Sequence, residues 1–157
     1  MVNWIDEIAA EKSRKDEQAN ADVQEAIAAS LLISQESPEF LRQLKVELGA
    51  MIADLPKIGV EGSLTDASQP EFETRYYIHL RKVSLHPRLT EVNLFHRTGS
   101  YVIRCHPMNR KAFELHFAVH PKGGSIAVYA DNAITYMNPH QTAQFLLRSE
   151  VDAIRPR

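Results

Sequence analysis

Cysteine is almost missing from this chain: Cys105 is the only one in 157 residues. A single thiol excludes an internal disulfide and any zinc site built on several cysteines. Long apolar runs are missing too. No stretch approaches the roughly 20 apolar residues that span a bilayer, so no membrane partner is expected. The start, MVNWIDEIAAEKSRK, has no basic segment followed by an apolar one. No signal peptide is read, and a cytoplasmic location is the expectation. Runs of Lys or Arg are lacking, which disfavours nucleic acid as a partner. Gly123-Gly124 leads into a strand rather than a helix, so it is a turn and not a phosphate loop. No nucleotide fingerprint and no Ser–His–Asp arrangement stands out. No cofactor is expected, and no catalytic residue is assigned.

What is present is a charge division. Residues 1–70 hold six Lys and Arg against thirteen Asp and Glu, a balance of −7. Residues 71–157 hold twelve against seven, a balance of +5, and all seven His. An acidic half facing a basic half explains this within or between chains; a basic sheet that receives an anion is the sharper alternative.

The second half is laid out around Tyr101 to Val119. Tyr101, Ile103 and Cys105 alternate on one strand, and Phe113, Leu115, Phe117 and Val119 on the next. Setting Arg104 opposite Glu114 pairs Ile103 with Leu115 and Cys105 with Phe113, apolar against apolar. Upstream, Glu91 to Arg97 joins through a two-residue Thr98-Gly99 turn, which pairs Leu94 with Ile103 and Val92 with Cys105. A one-residue bulge at that turn is the alternative. Phe72 to Lys82 adds another strand, with Leu80 opposite Val92 and Arg81 opposite Glu91. Downstream come Ser125 to Ala130, an Asp131-Asn132 turn, and Ala133 to Met137. Short connections imply an antiparallel meander.

Helices flank it. Residues 3–35 read as helix with a break near Asn20, capped by Asn3. EKSRKDEQANAD (11–22) is polar all round, between an apolar tip of Trp4, Ile5 and Ile8 and an apolar base from Val23. The segment is either an arm that docks on another subunit or a helix pair folding onto its own sheet. Ser37-Pro38 reads as a cap and first turn. Phe40, Leu41, Leu44, Leu48, Met51, Ile52 and Leu55 then form a stripe that covers the sheet. Asn138-Pro139 repeats the signal for a terminal helix.

The fold class is therefore α+β: N-terminal helices, an antiparallel β-meander of about five to seven strands, and a C-terminal helix. An N-terminal helical arm (1–36) precedes a single α+β domain (37–157), with a helix at 38–55, a sheet at about 72–137 and a helix at 139–150. A meander followed by a helix resembles pleckstrin-homology-like barrels in element order alone, which implies no ligand.

Alternation also predicts the outer face of the sheet. Its rows are Arg81–Glu91–His106, then His79–Asn93–Arg104–Glu114, then Tyr77–Phe95–Val102–His116–Tyr129. The candidate binding residues are Tyr77, His79, Phe95, Arg104, Glu114, His116 and Tyr129. A non-enzymatic binding or assembly module follows, a homodimer using the aromatic row, the arm or both. The alternative is a small-ligand-binding protein or small enzyme, with a pocket for a small anionic ligand over this face.

Metal chemistry is set aside. His116 and His120 would sit about 13 Å apart on a strand, too far to share an ion. His86, His106 and Glu91 depend on a loop. Cys105 and His96 share the inner face, where a buried thiol is a poor nucleophile.

Overall fold

The computed structural model describes residues 3–131 and 133–155. Its first element, α1 (Trp4–Asp54), is one helix of 51 residues, about 77 Å long. Asn3 caps it, its side chain accepting the Ile5 N–H at 3.1 Å. Asp6 and Glu7 in the first turn complement the helix dipole.

The helix breaks neither near Asn20 nor at Ser37-Pro38, where the sequence suggests separate helices. The reason lies in the buried stripe. Ile33, Ser37, Phe40, Leu41, Leu44, Leu48 and Ile52 recur every three or four residues, in phase across Pro38. A start at Ser37 would take Ile33 out of the core. Pro38 lacks the N–H that would bond the Ser34 carbonyl, at a cost of about 3 kcal/mol. Both residues are on the exposed side of the helix, where water can serve that carbonyl.

A 3₁₀ turn (Leu55–Ile58) follows, and Gly59 at φ 76° redirects the chain. That left-handed backbone carries no penalty for glycine. Seven strands come next: β1 (Val60–Asp66), β2 (Glu73–Lys82), β3 (Leu89–Arg97), β4 (Val102–Pro107), β5 (Phe113–Val119), β6 (Ile126–Ala130) and β7 (Ala133–Met137). They form one antiparallel sheet in sequence order. β1 and β7 are its two edges, with no pairing between them among the described residues, so the sheet is an open meander. The expected Asp131-Asn132 turn includes Asn132, which lies outside the described residues. Helix α2 (Pro139–Ile154) closes the fold. Asn138 and Gln141 cap it reciprocally, each side chain accepting the other's backbone N–H.

The β4–β5 register is the expected one, with Ile103 opposite Leu115, Arg104 opposite Glu114 and Cys105 opposite Phe113. Two neighbouring registers differ, each by two residues. β3 meets β4 with Leu94 opposite Cys105 and Phe95 opposite Arg104. The connection is four residues, Thr98 to Tyr101, not two. Ser100 N–H bonds Arg97 O at 2.9 Å, and Ser100 Oγ accepts the Val102 N–H at 3.2 Å. Gly99 supplies the positive φ of 85°. β2 meets β3 with Ile78 opposite Val92 and His79 opposite Glu91. Arg81 therefore leaves Glu91 and pairs instead with Glu61 of β1, at 2.6 Å. A slip of two keeps every side chain on its face, so the inner face survives both corrections.

Both helices lie on that inner face. Leu44 and Leu48 of α1, Leu146 and Ile154 of α2, and Ile78, Val92, Ile103 and Leu115 of the sheet are fully buried together. Each such side chain contributes about 1.5–3 kcal/mol of hydrophobic stabilisation. Among the described residues no helix lies on the other face of the sheet.

Candidate binding face

Because the strands alternate, the residues that do not enter the core line up on the open face. The corrected registers regroup them. Tyr77 stands beside Asn93, and Asn93 beside His106. Arg75, Phe95, Arg104 and Glu114 form the next row. Val102, His116 and Tyr129 remain together as expected. The continuous aromatic row from Tyr77 through Phe95 to Tyr129 therefore does not exist: arginines, not aromatics, flank Phe95. His79 sits apart, its Nδ1 3.1 Å from Glu91.

Two zones result. One lies on β5 to β7. The His116 ring stacks on Tyr129 with centroids 5.2 Å apart, Tyr136 meets Tyr129 edge-on at 5.9 Å, and His120 tilts against Tyr136 at 5.4 Å. His116 Nε2 also contacts Asp131. The other zone centres on Phe95. Arg75 lies over its ring, 4.8 Å from the centroid, and holds Glu73 at 2.5 Å. Around it opens a depression of about 660 Å³ lined by Phe72, Glu73, Phe95, Arg97, Ser100, Val102 and Arg104. Of the seven candidate residues only Phe95 and Arg104 line it. His79 lines a second depression of about 410 Å³ beside Glu61, Arg81 and Glu91. Tyr77, Glu114, His116 and Tyr129 line neither.

Sequence reasoning missed Arg75, Arg97, His120 and Tyr136, and alternation set Phe72 on the inner face with Tyr76, Ile78 and Leu80, whereas it precedes β2 and is exposed. For Arg75 and Arg97 a signal was there: each is two residues from a named candidate on the same strand, hence on the same face. Tyr136 follows from β7 pairing with β6 in the same way.

Away from this face, one polar cluster is buried. Thr90 O–H donates to Glu150 at 2.6 Å, Asn109 N–H donates to Thr90 Oγ1 at 2.7 Å, and Arg110 Nε lies 3.4 Å from Glu150. It ties α2 to β3 and to the β4–β5 connection. Cys105 is fully buried and burial pushes its thiol pKa well up. Burial also lowers the pKa of His96, whose Nε2–H donates to the Ser100 carbonyl at 2.9 Å. Neither group is poised for nucleophilic chemistry. Among the described residues no group of three His, Cys, Asp or Glu is placed to hold a metal ion, and no helix is long and apolar enough to cross a membrane. No protein-family model matches this chain, and neither a search of curated proteins nor one of solved structures returned a match.

Proposed function

We propose that this protein is a non-enzymatic binding and assembly module that works as a homodimer, with α1 as its assembly device. The observation that carries this reading is the outward half of α1. Residues 3–28 are exposed throughout, yet they include Trp4 (67 % exposed), Ile5, Ile8, Val23 and Ile27. Exposed apolar side chains in a row favour contact with a partner.

A second copy fits as that partner. Val23, Ile27 and Leu31 are spaced four apart, on one exposed stripe. The stripe straddles Ala29, the midpoint of Trp4–Asp54. Two α1 helices paired antiparallel about that point would each carry their tip about 36 Å along the partner. Near that end of the partner lies a groove between α1 and α2 lined by Met51, Leu55, Ile58, Phe145 and Val151, with Arg148, Asp152 and Arg155 at its side, a balance of one positive charge. Trp4, Ile5 and Ile8 supply the apolar complement, Asp6 and Glu7 the charge complement.

The split aromatic row argues against a second sheet on the open face and leaves that face free for a ligand, which is the second reading. The test is solution mass by light scattering on the full chain and on Ile27→Glu/Leu31→Glu. A dimer that becomes a folded monomer is expected. A wild-type monomer, or a variant that stays dimeric, overturns the assembly.

A further inference from the structure

We propose that the depression around Phe95 is a binding site for a small organic anion that carries a flat ring, an aryl phosphate or aryl carboxylate. This rests on the open sheet face being a free binding surface, and does not depend on whether α1 assembles.

Two charges beside Phe95 go unused. Pairing puts Glu73 opposite Arg97 and Glu114 opposite Arg104. Cross-strand ion pairs would be the ordinary outcome. Neither forms: among the described residues Arg97 and Arg104 make no salt bridge. Glu73 turns to Arg75 instead, at 2.5 Å, with a further hydrogen bond of 3.3 Å from the same guanidinium. Arg75 is thereby committed, since it also donates to Tyr77 Oη at 3.4 Å and lies over Phe95. The acidic group of the lining is neutralised and two guanidinium groups remain. Their planar donor forks suit the two oxygens of a carboxylate or phosphate.

The apolar side of the site points to a ring. Phe95 is half-buried on the floor, and Phe72, 65 % exposed, stands at the rim. Phe72 is held there because the Thr98 N–H bonds its carbonyl at 2.9 Å. This bond fastens the entry to β2 against the β3–β4 connection, and Ser100 of the same connection lines the site. An exposed Phe on a fastened backbone offers an edge or face to a flat ring. The volume of about 660 Å³ falls within the usual range for small-molecule sites. Its one hydroxyl, Ser100 Oγ, accepts the Val102 N–H and has no paired base among the lining residues, so binding and not turnover is assigned.

The experiment is a calorimetric titration of the full chain with phenyl phosphate, inorganic phosphate and phenol. Phenyl phosphate is expected to bind about tenfold more tightly than inorganic phosphate, the worth of one aromatic contact, and phenol not at all. Arg97→Met and Arg104→Met should each weaken phenyl phosphate about tenfold, and Phe95→Glu should abolish it. All three positions are on the open face, so the solution mass and fold of the variants should match wild type. Equal binding of the two phosphates, no saturable binding, or an unchanged affinity in Arg104→Met overturns the site. Light scattering on the same samples separates the two readings. Monomers that bind uphold the site without the assembly, and dimers that do not bind remove the site while leaving the assembly.

Discussion

Glu150 is 1 % exposed and sits among the apolar side chains of α2. A carboxylate so placed needs partners, and it has Thr90 and Arg110. Arg110 in turn lies over the Phe113 ring at 4.4 Å, so one guanidinium serves both a charge and an aromatic face. Removing the carboxylate strands the Thr90 hydroxyl and opens a cavity. Glu150→Ala should cost about 3 kcal/mol, read as a lower urea midpoint. Glu150→Gln keeps an acceptor for Thr90 and should cost less. His96 gives the chain a pH dependence. Burial lowers its pKa in the fold, against which the Ser100 carbonyl works weakly. The unfolded imidazole titrates near 6.5. Below that pH the unfolded chain binds the extra proton, so this contribution to stability is full above about 6.5. It declines as pH falls toward the lowered folded pKa, then levels off. His96→Gln, which can still donate to Ser100, should flatten the urea midpoint between pH 7 and pH 5 relative to wild type. An unchanged slope would remove His96 as the source.

At the scale of elements, strands and faces were readable from the sequence, while connections were not. Alternation in β3 and β4 fixes which residues point inward, and a two-residue slip leaves that intact. Thr98-Gly99 has the composition of a two-residue turn. The deciding contacts come from Ser100, whose hydrogen bonds to Arg97 and Val102 are visible only once the chain is folded. The registers leave the side chains on their faces but shift their neighbours along the strands by two. That is why Arg75 and Arg97 were overlooked beside Phe95. The same limit applies to α1. Ser37-Pro38 has a helix start's local chemistry, and the burial of Ile33 with Phe40 overrides it. The strain should remain measurable: Pro38→Ala restores the missing backbone bond and should raise stability by about 1–3 kcal/mol. If stability fell instead, the unbroken helix would be the wrong description of this segment.

For the whole molecule, the acidic excess gathers on the outward part of α1, while β1 of the same acidic half pairs with the basic strand β2. The arm of α1, residues 3–36, holds three Lys and Arg against eight Asp and Glu. The open sheet face holds Arg97 and Arg104, which make no salt bridge among the described residues. An acidic helix with apolar ends and middle is suited to another copy's helical layer, and a basic depression to an anion. Assembly is thus proposed for one side of the molecule and binding for the other. The most direct test is the solution mass of three proteins side by side: wild type, Ile27→Glu/Leu31→Glu and Phe95→Glu. Dimer, monomer and dimer are expected. A dimer lost in Phe95→Glu but kept in the α1 variant would contradict that proposal, and would make the sheet face the interface.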